Sequence, residues 1–278
     1  MSILMCTRDE VFTFSDPVLF PSIPVTYIIT MEGSDRYDNV LSEIHRYKPT
    51  RNVVIVHHKP LSDCARPKWV TKVSHDLWNN NITIAKRDVN IPMLVLEDDV
   101  QFLPAVYDYA EHIDNVIAND RCEVYSLGAC STFSYQSSSK DITILLGGAS
   151  QAFLFSKSGR QRLVQEYSDD SSYKSDIITH VKYIGIPWLH DLEIYYMFNV
   201  LAPIRPCAVQ RFPMTENQKE WNNAFIHLIF YLTDASNDGA AIFELCHALG
   251  CFGGYIPVLI TVLVLIVHII YVLKKINK

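Results

Sequence analysis

The chain has 278 residues, about half of them apolar, with fifteen tyrosines and a net charge of −6. That length suits one α/β domain or two smaller ones and can bury a large core. The mildly acidic balance excludes a broad basic face for nucleic acid, and seven scattered cysteines with no CxxC pair argue against a zinc cluster and for reduced thiols.

In chain order, Val25–Thr30 reads as a first core strand, with residues 1–24 as an N-terminal extension. Val40, Leu41, Ile44 and Tyr47 fall at helical spacing, which predicts a helix over 34–47 capped by Ser34 or Asp35. Asn52–Val56 is a second strand, and Trp69–Ile84 has the apolar spacing of another helix. Met93–Leu96 is a short apolar run that ends in Glu97-Asp98-Asp99. A helix over Leu103–Ala118 and a strand over Glu123–Leu127 follow. Strands alternating with helices predict βαβ units and a largely parallel sheet. Ser131–Ser139 is polar and reads as a loop. Asp141–Leu146 and Ala152–Phe155 read as strands flanking a turn at Gly147-Gly148. Ser158–Tyr167 reads as a helix with a serine cap, and Leu192–Val200 as a buried aromatic helix. The sequon Asn81-Ile82-Thr83 is a glycosylation acceptor only if it is exposed on the far side of a membrane.

The last stretch differs in kind. Tyr255–Leu273 is nearly unbroken Ile, Val and Leu, and at ~1.5 Å per residue it spans roughly 28 Å, a bilayer core. Tyr255 and Tyr271 sit at its ends, and Lys274, Lys275 and Lys278 follow. Residues 221–254 then connect the domain to this anchor. Met1–Glu10 has neither the basic segment nor the apolar stretch of a signal peptide. The expectation is a single-pass tail anchor with the domain in the cytosol, in a cell or virion membrane. The lysines beyond the span argue the other way under the positive-inside tendency.

Three consecutive carboxylates at the end of a buried strand repel one another and are costly to desolvate. A divalent cation with a phosphate-bearing ligand would offset that cost, because Mg²⁺ and Mn²⁺ are held by one or two carboxylates plus phosphate oxygens. The alternative is an acidic turn open to water. Open α/β sheets bind ligands beyond the carboxyl ends of their strands, and the loop after Thr30 brings Arg36, whose planar fork suits a diphosphate, to the same end.

Several segments, in order, resemble the family 25 glycosyltransferases, which include lipooligosaccharide and collagen galactosyltransferases. They are Tyr27-Ile28-Ile29-Thr30 with Asp35-Arg36, Ser74-His75 with Trp78, Leu94–Val100, Gly147–Gly159, Pro187–Asp191 and Pro206–Gln210. The resemblance covers roughly residues 25–220. It implies a GT-A type α/β fold, a Rossmann-like mixed sheet with flanking helices, and a nucleotide sugar as donor, UDP-linked above others, with Mn²⁺ or Mg²⁺. It implies Asp99 as metal ligand, with Asp98 and His190 beside it, and donor contacts from Arg36, His75, Glu97, Asp98 and Gly148. It also implies inverting transfer to a glycan or protein hydroxyl, with Asp191, or Glu193 in its place, as general base. The chain departs from the pattern at Trp69–Lys72 and at Ala149-Ser150-Gln151. A tail-anchored enzyme of this type suits a large DNA virus. The alternative expectation is a tail-anchored viral envelope protein that keeps the glycosyltransferase-like domain to bind cell-surface glycan; its acidic balance counts against that.

Overall fold

The computed structural model describes residues 7–59, 72–128, 130–148, 151–167 and 190–210. The predicted connector and anchor lie outside them. Among the described residues no helix is long and apolar enough to cross a membrane.

The elements run β1 (Thr7–Thr13), β2 (Val25–Met31), α1 (Tyr37–Tyr47), β3 (Asn52–His58), α2 (Lys72–Ala85), β4 (Met93–Glu97), β5 (Val100–Phe102), α3 (Val106–Ala118), β6 (Val124–Ser126), β7 (Cys130–Gln136), β8 (Asp141–Gly148), β9 (Ala152–Phe155), α4 (Lys157–Glu166), α5 (His190–Met197), β10 (Val200–Pro203) and β11 (Ala208–Gln210). Nine strands form one mixed sheet in the order β1-β3-β2-β4-β9-β6-β10-β8-β7, and β5 pairs with β11 apart from it. The centre is parallel: β2 lies between β3 and β4 with both in the same sense, and β10 runs parallel to β6. β9 runs against both β4 and β6. The chain is therefore an α/β protein with a mixed sheet whose core is largely parallel.

Helices cover both faces, which explains why the central strands read as continuous apolar runs rather than alternating ones. On one face Tyr27, Ile29, Val95, Phe153 and Phe155 pack with Trp78 of α2, Leu163 of α4 and Tyr195 of α5. On the other, Ile28, Leu94, Leu96 and Leu154 pack with Val40 and Ile44 of α1 and Ile113 and Ile117 of α3. Arg160 of α4 is wholly buried and donates to the carbonyls of Ala85, Ile84 and Ile91, so closing the C-terminal end of α2.

The structure differs from the sequence reading at several elements. Residues 7–24 belong to the domain: β1 pairs antiparallel with β3 over seven residues, and Phe20 and Ile23 are fully buried. The stretch Ser131–Ser139, expected as a loop, is mostly strand β7. It is the outermost strand, held by backbone bonds to β8, and its face to water needs no apolar alternation: Tyr135 is exposed. Gly147 and Gly148 continue β8 rather than turning, paired with Ser131 and Cys130. The run 192–200 splits, since Val200 leaves α5 to pair with β6 and β8. The cap of α4 is Ser156, which accepts from the Gly159 N–H, while Ser158 donates to Asp120. The asparagine of the sequon, Asn81, is buried in α2 with its amide on the Leu77 carbonyl, which leaves no room for a glycan. Cys122 and Cys207 are buried free thiols, and burial pushes the Cys122 thiol up to about 12.

Candidate functional site

The chain passes from β2 through α1 to β3 on one side, then crosses to β4 on the other side of β2. The gap between the carboxyl ends of β2 and β4 is thus a topological switch point, where open α/β sheets hold ligands. β2 ends at Met31, and the turn that follows uses Gly33 at φ +78°, a left-handed conformation that favours glycine. That turn sends Ser34 and Arg36 back toward β4. The N-cap position of α1 is Arg36 rather than Ser34 or Asp35; Ser34 Oγ accepts the Arg36 N–H at 3.3 Å and donates to Asp98 Oδ2 at 2.9 Å.

Asp98 is saturated. Thr30 Oγ1 donates to Oδ2 at 2.8 Å, Ser34 to the same oxygen, and Arg36 Nη1 to Oδ1 at 2.8 Å. Arg36 Nη1 also lies 3.6 Å from Asp99 Oδ2. Asp99 receives Gln210 Nε2 on Oδ2 at 2.8 Å, while its Oδ1 is buried and has no hydrogen-bond partner among the described residues. Gln210 reaches Asp99 because β11 pairs with β5, the strand that directly follows the acids.

Electrostatics follow from this packing. Burial pulls the Arg36 guanidinium toward losing its proton, but the charges of Asp98 and Asp99 outweigh it and hold the group more basic than usual. Burial, then the charge of Glu97 and more weakly that of Asp98, push Asp99 well above the ordinary carboxylate range, outweighing the opposing pulls of Gln210 and Arg36. Arg36 is thus the cation that stands beside both Asp98 and Asp99 at this buried edge.

Of the residues expected from sequence, Arg36, Glu97, Asp98 and Asp99 meet at this point. His75 is buried in the first turn of α2. Gly148 ends β8, and three residues separate it from Ala152, which opens β9 opposite Leu96, so four Cα steps hold it within ~14 Å of that point. His190 and Asp191 open α5, and their side chains lie outside the described set. Glu193 is fully buried in α5 and accepts from Tyr167 Oη at 2.5 Å. Thr30, Ser34, Gln151 and Gln210 were missing from the expected set. Thr30, Gln151 and Gln210 each stand inside a segment of the resemblance, and Ser34 reads only as a cap for α1.

Among the described residues no three His, Cys, Asp or Glu side chains are grouped to hold a metal ion. The donors fit a less demanding requirement. Asp99 Oδ1 is an unmatched anionic acceptor beside two further carboxylates, and Mg²⁺ or Mn²⁺ needs only one or two carboxylates when phosphate and water supply the rest. No family model and no curated protein matches the sequence.

Proposed function

We propose that this chain is a metal-dependent glycosyltransferase of the GT-A type that binds a nucleotide sugar at the carboxyl edge between β2 and β4 and transfers the sugar to a glycan or protein hydroxyl. The observation that carries the reading is the state of Asp99: buried, pushed toward protonation, and left with one oxygen unmatched at a switch point that also holds Arg36. Arg36, anchored on Asp98, would meet the diphosphate. Asp99, with Glu97 or Asp98, would hold the divalent ion, which when bound supplies charge to stabilise the departing diphosphate. Asp191 is the proposed base for the acceptor hydroxyl. The domain would act at a membrane face, tethered through residues 255–273.

The test is thermal shift of the full chain in mild detergent against UDP- and GDP-sugars, with and without Mn²⁺. A rise that needs both the ion and one nucleotide sugar supports the reading. Folded protein with no response to any of them would sink it. One observation favours a second reading, glycan binding by an envelope protein without catalysis: both oxygens of Asp98 are already occupied by the protein's own Thr30, Ser34 and Arg36. A glycan array on the same protein distinguishes the two.

A further inference from the structure

Gln151 stands directly before β9 and is 1 % exposed. Its carbonyl accepts the Glu97 N–H at 3.0 Å, which extends the β4–β9 register one residue beyond Leu96 and Ala152. Directly opposed residues of an antiparallel pair project from the same face with Cβ atoms ~5 Å apart. The side chains of Gln151 and Glu97 therefore share one face of the sheet at its carboxyl edge.

The Gln151 amide is fixed in place. Its Nε2 donates to the Gly128 carbonyl at 2.5 Å. Gly128 admits no side chain, since a Cβ there would lie 2.6 Å from that nitrogen and 1.8 Å from the Ala208 carbonyl oxygen. The other half of the amide is unused: Oε1 is buried with no partner among the described residues. A buried acceptor in that state is costly unless a bound group satisfies it. Two more such atoms occur on the same edge, Asp99 Oδ1 after β4 and His58 Nδ1 at the end of β3. From β3 through β2 and β4 to β9 is three strand spacings, ~14 Å. That is the reach of an extended ligand rather than of a single ion.

We infer that Gln151 is a specificity-determining residue of this edge, its amide oxygen accepting a hydroxyl of a sugar ring seated beside Glu97. The inference rests on the nucleotide-sugar reading. Gln151 Oε1 and the Glu97 carboxylate both accept hydrogen bonds, so this end of the edge disfavours phosphate and suits vicinal hydroxyls. The cation that suits phosphate, Arg36, stands on the β2 side.

Titration calorimetry of the full chain in Mn²⁺ tests it, with UDP, UDP-galactose and UDP-glucose as probes. The wild type is expected to bind one hexose ester about ten-fold tighter than UDP, the size of one well-made buried hydrogen bond. Gln151→Met should bind UDP as the wild type does and lose that preference. A variant that keeps the preference overturns the inference, and so does a wild type that binds UDP but neither hexose ester more tightly. A wild type that binds no probe at all sinks the nucleotide-sugar reading and this inference with it. Should Gln151→Met fail to fold, the wild type is titrated with UDP-hexoses deoxygenated at single ring positions. One position is expected to lose about ten-fold, and uniform affinity across the series rejects the role of Gln151.

Discussion

Asp99 and Asp141 are each 5 % exposed, yet their surroundings differ in almost every bond. Asp141 opens β8 and accepts from His112 Nε2 at 2.9 Å on both oxygens, from Tyr125 Oη at 2.8 Å and from Ser138 Oγ at 2.8 Å. No lone pair goes begging, and the cluster ties α3, β6 and the β7–β8 connection together. Burial, with Asp141 next to it, pushes the Tyr125 hydroxyl far above its usual range, so it stays a donor. Asp99 has one amide donor, a guanidinium at 3.6 Å and an unmatched oxygen. Burial alone does not mark a functional carboxylate. What separates the two is whether the fold finishes the job of solvating the charge.

That contrast can be broken most forcefully at Asp141. Asp141→Ala removes the acceptor of His112, Tyr125 and Ser138 together and leaves the Tyr125 hydroxyl buried without a partner. A loss of about 3–5 kcal/mol is expected in urea denaturation, the range for removing one member of a buried charged network. The nucleotide response of the folded fraction should be unchanged. A loss under about 1 kcal/mol would show that Asp141 is no better integrated than a surface group.

Arg36→Ala comes next in size. It leaves Asp98 with two hydroxyl donors and no cation, and Asp99 with Gln210 alone, so stability should drop by about 2–3 kcal/mol. Because a divalent ion can replace the missing charge, Mn²⁺ should raise the melting temperature of this variant more than that of the wild type. An equal or smaller rise would mean that the ion does not meet these carboxylates.

How far the sequence exposes all this depends on distance along the chain. β2, β3 and β4 are legible because burial on both faces makes them uninterrupted apolar runs, and the acids stand out because charge so rarely ends such a run. β1 and β7 are not legible. Each lies at a sheet edge, where backbone pairing to β3 or β8 sets the conformation and the side chains need no pattern. The acidic half of the site is local in sequence, but its partners are not. Thr30 meets Asp98 across 68 residues, and Gln210 meets Asp99 across 111. Gln151 has a role only because β9 inserts antiparallel beside β4, which no local spacing announces. Glu193 meets Tyr167 across 26 residues, a buried pairing that no local spacing announces either.

The smallest expected effect is also the one with the less obvious sign. Asp99→Asn keeps an acceptor for Gln210 and removes a charge that burial and Glu97 disfavour. A carboxyl group whose pKa is raised by folding holds its proton in the folded state where the unfolded chain has released it. The folded state then binds more protons, so wild-type stability is fullest below the ordinary carboxylate value, ~3.9, and falls as pH rises through the folded value. The Asn variant lacks that slope. Measured by urea denaturation in EDTA, the two proteins should converge near pH ~4, and near neutrality the variant should be the more stable of the two. Added Mn²⁺ should stabilise only the wild type, reversing the order. A variant less stable than the wild type in EDTA at neutral pH would mean that attraction to Arg36 outweighs desolvation and the repulsion of Glu97. Asp99 would then resemble Asp141, a carboxylate the fold has already satisfied, and the case for an ion at this edge would lose its physical basis.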